Sequence, residues 1–231
     1  MRSLISICFV AAVTSAAYAG TLSATYASSF GKNVQFTLSS ANKDQGTVQW
    51  NGTRTGGTDT LVPATYNAYC VELGEFINTG VNTTHQNVTP LLGSSTVPGG
   101  VVFNSGRTDA MERLWGSYFG LVNTAEKSAA FQLAVWEIAF DNDLSLTNAS
   151  GNLVGRDRDA SMSGIQLDPV SQIAQGWLMN VATGAATQRQ KLLLLSGQGT
   201  QDLITPVPEP ASIFAIAVGA AMLARRRKNR A

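Results

Sequence analysis

The fold is decided by residues 124–140, whose sequence is TAEKSAAFQLAVWEIAF. The pattern predicts a helix over this range, with Asn123 and Glu126 at the spacing of a capping box. Its side chains are apolar on nearly every side, which is typical of a helix buried within a globular protein. Gln132 lies in the middle of this run, and a buried amide must be paired. The simplest interpretation is that Gln132 hydrogen-bonds a neighbouring backbone while its stem packs against Trp136.

Two further helices are predicted on either side of this one. Residues 108–122 place apolar side chains at spacings of three and four, and Thr108 or Asp109 is available as the N-cap. Asp168 followed by Pro169 predicts the start of a third helix, which continues to about residue 181. The sequence therefore predicts a packed helical subdomain of about three helices.

The chain before these helices favours strands. Short runs rich in Thr, Val and aromatic residues alternate with turn residues. They occupy residues 22–26, 34–38, 47–50 and 65–73, and residues 191–195 suggest a late strand or a helix end. Residues 78–106 hold many small polar residues and suggest a long surface loop or a poorly defined hairpin. We predict an α+β fold: a β-sandwich or barrel-like sheet with the helical subdomain packed on it.

The first 19 residues have the features of a secretory signal peptide. Arg2 precedes a largely apolar run over residues 4–13, and Ala17-Tyr18-Ala19 provides a small-x-small cleavage site. Cleavage after Ala19 also removes Cys8. Cys70 is then the remaining cysteine of an exported protein, and an unpaired exported thiol calls for an explanation.

The last 26 residues contain a second processing signal in three parts. Residues 206–210 are the rigid spacer PVPEP, residues 211–224 are apolar and uncharged, and residues 225–230 are the basic cluster RRRKNR. The pattern suits a short transmembrane helix with its basic end in the cytoplasm. It also resembles the PEP-CTERM sorting signal of Gram-negative bacteria. The positions that carry the likeness are Pro208, Glu209, Pro210, Arg225, Arg226 and Arg227.

That resemblance implies an exported protein that an exosortase recognises and processes. We expect it to be anchored transiently in the inner membrane by the C-terminal helix, and then to reach the cell surface or extracellular matrix. Residues 20–205 remain as one domain, with ten basic and 14 acidic residues and hence a net charge of minus four. A mildly acidic surface excludes the basic footprint that nucleic-acid binding needs.

Two local patterns point to a function for Cys70. Tyr69-Cys70-Val71-Glu72 and Gln132-Leu133-Ala134-Val135-Trp136 closely resemble the two signature motifs of thioester domains in bacterial surface adhesins. The likeness covers residues 66–140, and it departs at Val71-Glu72, where the family commonly has Ile-Asp. The resemblance implies an internal Cys70–Gln132 thioester that captures an amine or hydroxyl on a surface protein or polysaccharide. The expected supporting residues are Tyr69, Glu72, Phe131 and Trp136.

Three alternatives compete with the thioester. Cys70 can be inert in a structural surface or matrix protein. A cysteine hydrolase would pair Cys70 with His85, the single histidine. Asp141-Asn142-Asp143 begins like a calcium loop, but Leu146 and Asn152 stand where such a loop has Gly and Glu. The sequence therefore predicts a protein that is not an enzyme and that has no metal site or cofactor.

Overall fold

The structure is a computed structural model that describes residues 20–38, 41–97, 101–141, 143–146, 153–157 and 168–208. The predicted signal peptide and the predicted C-terminal span, residues 211–224, lie outside these ranges. The strands are β1 (Gly20–Leu38), β2 (Ala41–Gly56), β3 (Thr65–Cys70), β4 (Thr83–Pro90), β5 (Thr96–Val97), β6 (Val101–Val102), β7 (Leu153–Asp157), β8 (Leu192–Gly197) and β9 (Thr200–Pro206). The helices are α1 (Ser105–Tyr118), α2 (Ala125–Phe140) and α3 (Pro169–Ala182), with a 3-10 turn at Phe119–Leu121.

Six of the strands close into an antiparallel barrel. Their order is β2-β3-β9-β8-β4-β1, and β1 pairs again with β2 to complete the ring. Closure removes the exposed edges that an open sheet would present. The predicted α+β class with a barrel-like sheet is confirmed, whereas the alternative of a sandwich is not what forms.

The barrel closes because β1 is long enough to serve two neighbours. The strands predicted at residues 22–26 and 34–38 are one strand, with a register shift between Ser29 and Lys32 where Phe30 has a φ of 52°. Residues 20–24 of β1 pair with β4, while residues 34–38 pair with β7 outside the barrel. The short polar interruption therefore bends the strand without ending it.

The described part of residues 78–106, at 78–97 and 101–106, forms strands where the sequence suggested a long loop or a poorly defined hairpin. It contains β4, which lies between β1 and β8 in the barrel, together with the small β5–β6 hairpin. Only His85 and Val88 of β4 are buried. A strand that buries so few apolar side chains lacks the hydrophobic alternation by which strands are recognised.

The three predicted helices form, and each is capped by a side chain. Asp168 accepts from the Ser171 N–H, as predicted for α3. For α2 the predicted capping box is wrong by one residue: the N-cap is Thr124, which accepts from the Lys127 N–H, and not Asn123. The first helix starts earlier than predicted, because Asn104 and neither Thr108 nor Asp109 is its N-cap.

Two apolar cores lie on opposite faces of the sheet. The barrel core consists of Leu22, Ala24, Tyr26, Val62, Tyr66, Ala68, Val88, Leu193, Leu195 and Leu203. The helix-side core contains most of α2 and the apolar faces of α1 and α3, together with strand residues such as Tyr69 and Val71. Because successive residues of a strand point to opposite faces, β3 contributes to both cores.

Candidate functional site

Cys70 is the last residue of β3 and lies at the junction of the two cores. Tyr66 and Ala68 belong to the barrel core, whereas Tyr69 and Val71 belong to the helix-side core. Cys70 is half-buried and packs against both. Its position gives it access to groups of the barrel and to groups of the buried helix α2.

Gln132 meets Cys70 through two hydrogen bonds. The Cys70 N–H donates to Gln132 Oε1 at 3.1 Å, and Gln132 Nε2 donates to the Cys70 carbonyl oxygen at 2.7 Å. Gln132 is 1% exposed, so both polar ends of its buried carboxamide are paired. The structure thus brings together the two residues of the predicted bond, and it does so through the main chain of Cys70.

The thiol of Cys70 has a different partner. Trp50 Nε1 donates to Cys70 Sγ at 3.3 Å. Burial raises the pKa of the Cys70 thiol to about 12; the Trp50 hydrogen bond opposes this rise, and the Glu72 carboxylate adds to it. Cys70 is therefore a protonated thiol at neutral pH.

Aromatic side chains cover the helix-side face of this contact. The rings of Tyr69 and Phe131 lie 4.9 Å apart between centroids, and both contact the ring of Trp115. The Tyr69 hydroxyl is 3.0 Å from Ser128 Oγ, one helical turn before Gln132. Trp136 is buried in the same core one turn after Gln132. Of the predicted supporting residues, Tyr69 and Phe131 therefore pack against each other beside Cys70 and Gln132, and Trp136 lies in the same core.

Glu72, the fourth predicted supporting residue, turns toward β9. Its Oε1 accepts from the Asp202 N–H at 3.2 Å, while Gln201 Nε2 donates to its main-chain oxygen at 2.9 Å. Burial raises the pKa of Glu72, and burial followed by the Glu72 charge raises that of Asp202 to about 7. Glu72 therefore fixes the turn after Cys70 against the barrel.

His85 belongs to a separate polar group inside the barrel. Its Nε2 is 2.7 Å from the Tyr26 hydroxyl, which is 2.7 Å from the Tyr66 hydroxyl. Burial lowers the pKa of His85 to about 4, so the ring is neutral. Among the described contacts, His85 makes no hydrogen bond with Cys70, so the structure gives a Cys–His hydrolase no assembled pair.

Sequence reasoning missed three partners of the site. Trp50 pairs with Ala68 across β2 and β3, and this register places its indole next to Cys70. Asp202 comes from β9, a strand that was not predicted. Ser128 is the one that the sequence could have revealed, because it lies four residues before Gln132 on the same buried helix.

A second polar group lies at the C-terminal end of α2. Glu137, Asp141 and Asp143 each place one carboxylate oxygen within 4.8 Å of the others. Glu137 and Asp141 are buried, while Asp143 is exposed. Burial, together with the neighbouring acidic groups, raises the pKa of Glu137 to about 9. The calcium-loop pattern considered in the sequence begins at Asp141. It therefore does not include Glu137, which lies one helical turn earlier on α2.

Comparison with known families identifies the C-terminal segment. The PEP-CTERM protein-sorting motif matches residues 206–228. The chain carries a PEP-CTERM sorting motif. It begins where β9 ends, at a point fixed to the barrel by hydrogen bonds of Val207 with Lys191 and Gln190. The matched range includes Pro208, Glu209, Pro210 and the basic residues Arg225, Arg226 and Arg227.

This motif implies export, recognition by an exosortase and sorting to the cell surface. No match was found among curated proteins or among solved structures. Within the residues described by the structure, none of the helices combines the length and the apolar character required to cross a membrane.

Proposed function

We propose that this exported protein forms an internal thioester between Cys70 and Gln132 and uses it to capture an external nucleophile covalently. The observation that carries the proposal is the pair of hydrogen bonds that holds the Gln132 carboxamide against Cys70. Two motifs that resemble those of adhesin thioester domains stand at these two positions. The sorting motif supports a place for the reaction on the surface or in the matrix of a Gram-negative cell, after passage through the inner membrane.

The chemistry uses two residues that already meet through the main chain of Cys70. The Cys70 sulfur attacks Gln132 Cδ, the Cδ–Nε2 bond breaks, and ammonia leaves with the thiol proton. The negative charge that develops on Oε1 is stabilised by the Cys70 N–H, which already donates to that oxygen. Because strand pairing and the two hydrogen bonds fix the backbone, the main remaining freedom is rotation of the Cys70 side chain.

Proximity offsets the unfavourable exchange of an amide for a thioester. Intramolecular reactants held in contact have an effective concentration of about 10⁵ M or more. The buried Tyr69 and Phe131 rings exclude water that would hydrolyse the product.

In the capture step the Cys70 sulfur, which was the nucleophile when the thioester formed, becomes the leaving group. An external amine or hydroxyl attacks Cδ, the Cδ–Sγ bond breaks, and the thiol regains a proton. The target stays attached to residue 132, so each molecule reacts once. The protein is thus a covalent binder without turnover, metal or cofactor in this reaction, and it attaches its cell or matrix to a surface protein or polysaccharide.

The capture step is tested with a fluorescent primary amine added to the full chain. We expect covalent labelling at residue 132 and the appearance of an alkylatable Cys70 thiol in the same molecules. Labelling should be lost in Cys70→Ala and Gln132→Ala and kept in the matched control Cys8→Ser. An unlabelled wild type, or labelling that survives Cys70→Ala, contradicts the proposal.

A structural surface protein with an inert Cys70 is the second candidate. It is favoured by one observation: the hydrogen bonds of Gln132 go to the main chain of Cys70, while the sulfur accepts from Trp50. In that case Gln132 is a buried clamp between α2 and β3. If Gln132 is only a clamp, we expect a wild-type protein of full mass that the amine does not label. The Cys70→Ala variant should then remain folded.

A further inference from the structure

The C-terminal end of α2 gathers three carboxylates on a short piece of chain. Glu137 is in the last turn of the helix, Asp141 is its C-cap, and Asp143 follows two residues later. One oxygen from each lies within 4.8 Å of the others. Two ligands of one Ca²⁺ are at most about 5 Å apart, since Ca–O distances are about 2.3–2.6 Å. The three oxygens therefore have the spacing of a common ion.

An unpaired buried atom points independently to a ligand. The Glu137 side chain is wholly buried, and its Oε1 accepts from the Ser145 N–H at 3.0 Å. Its Oε2 is buried and has no hydrogen-bond partner among the described residues. A buried acceptor left unpaired is costly, and for a carboxylate the cost is larger than for a neutral group.

A main-chain N–H donates to one oxygen of each of the three carboxylates. Glu137 Oε1 and Asp143 Oδ1 both accept from the single N–H of Ser145. Asp141 Oδ2 accepts from the Leu153 N–H of β7 at 3.1 Å. A cation placed among the three carboxylates would also satisfy Glu137 Oε2, which these main-chain donors do not reach.

Helices α1 and α3 also bring polar side chains to this end of α2. From α1, Arg107 lines a pocket of about 230 Å³ together with Asp141, and its Nη1 donates to the Val102 carbonyl oxygen at 3.0 Å. From α3, the neutral Gln175 accepts from the Leu146 N–H. The carbonyl end of α2 carries the negative pole of the helix dipole, which favours a cation at this end.

We propose that Glu137, Asp141 and Asp143 bind a divalent cation, and that this cation is Ca²⁺. Ligands that are all oxygen select hard cations, and Ca²⁺ accepts irregular geometry more readily than Mg²⁺, which requires near-octahedral coordination. The exposed Asp143 leaves one side open for water to complete the shell. Because Asp141 also holds Leu153, the ion would tie the end of α2 to β7 and thereby to β1.

The site is tested by calorimetric titration and thermal unfolding of the full chain, with CaCl₂ or MgCl₂ added to chelator-treated protein at constant ionic strength. We expect Ca²⁺ to bind and to raise the Tm at concentrations on the order of 1 mM or below, and Mg²⁺ to act more weakly. Asp143→Asn, an exposed change that leaves the core intact, should weaken Ca²⁺ binding by about tenfold or more.

Two further variants make the outcome decisive. Glu137→Gln should abolish the Ca²⁺-dependent shift while the protein remains folded in chelator. Glu126→Gln, an exposed substitution at the other end of the same helix, should leave the shift unchanged. The proposal is overturned if wild type shows no Ca²⁺-dependent shift, or if Asp143→Asn and Glu137→Gln respond as the wild type does.

Discussion

The buried helix α2 carries two polar side chains that differ in how their atoms are paired. Both ends of the Gln132 carboxamide are hydrogen-bonded to the main chain of Cys70, whereas Glu137 leaves Oε2 without a partner among the described residues. The first arrangement is complete within the protein and fixes the Gln132 carboxamide against the main chain of Cys70. The second is incomplete and indicates a ligand from outside. Both side chains are buried, so burial does not distinguish them. What distinguishes them is whether all their polar atoms are hydrogen-bonded within the protein or one of them is left for a ligand.

The largest expected effect is the loss of the Gln132 clamp. Gln132→Leu, made in a Cys70→Ala background so that no thioester contributes, leaves the main-chain N–H and C=O of residue 70 buried and unpaired. Each such group costs about 1–3 kcal/mol, so we expect a loss of about 2–6 kcal/mol in the free energy of unfolding. Denaturant unfolding measures it.

The neighbouring change Leu133→Met is the matched control, because a volume-conserving core substitution costs less than about 1.5 kcal/mol. If Gln132→Leu costs no more than this control, Gln132 is not the clamp described here.

The second effect concerns Glu137 in chelator. Its folded pKa of about 9 lies above the ordinary 4.5, so its contribution to stability is complete below pH 4.5 and is lost as pH rises toward 9. Between pH 5 and 8 the wild type should lose about 4 kcal/mol relative to Glu137→Gln, which stays neutral. Unfolding at several pH values measures the gap, and a gap that does not change with pH contradicts a buried, unpaired carboxyl.

Features that depend on residues close together in the sequence could be predicted, whereas features that depend on contacts between distant segments could not. The α2 helix and the Asp168-Pro169 start of α3 follow from local patterns, and both are confirmed, although the N-cap of α2 is Thr124 and not Asn123. Strand β4 could not be found, because its place in the barrel depends on pairing with β1 and β8 and not on its own hydrophobicity. The Gln132 interaction with neighbouring backbone was anticipated, but its position on Cys70 itself depends on the docking of α2 against β3.

The third effect extends the comparison to the barrel core. His85 Nε2 is paired with Tyr26, and burial lowers its pKa from 6.5 to about 4. Its contribution to stability is therefore present above pH 6.5 and is lost as pH falls to about 4, a change of about 3 kcal/mol. His85→Gln should remove this acid sensitivity, which runs opposite to that of Glu137. Equal acid sensitivity in wild type and variant would show that His85 protonates freely in the fold.

The smallest expected effect is a change in the stability of α2 that does not touch either polar group, and it serves as a reference for the other substitutions on this helix. Thr124→Ala removes the N-cap of α2 at an exposed position away from both polar groups. We expect a loss of about 1 kcal/mol, measured by thermal unfolding, with amine labelling and the Ca²⁺ response unchanged. A change in either response would show that the two sites depend on the helix as a whole and not on their own pairing.

The most direct measurement is the intact mass of the purified full chain, with a peptide map across residues 70 and 132. We predict a wild-type protein lighter by one ammonia, with the two residues recovered in one cross-linked product. Cys70→Ala and Gln132→Ala should have their full masses, and Cys8→Ser should show the same ammonia loss as the wild type. A wild-type protein of full mass whose Cys70 alkylates without denaturant contradicts the thioester and leaves Gln132 as a structural clamp.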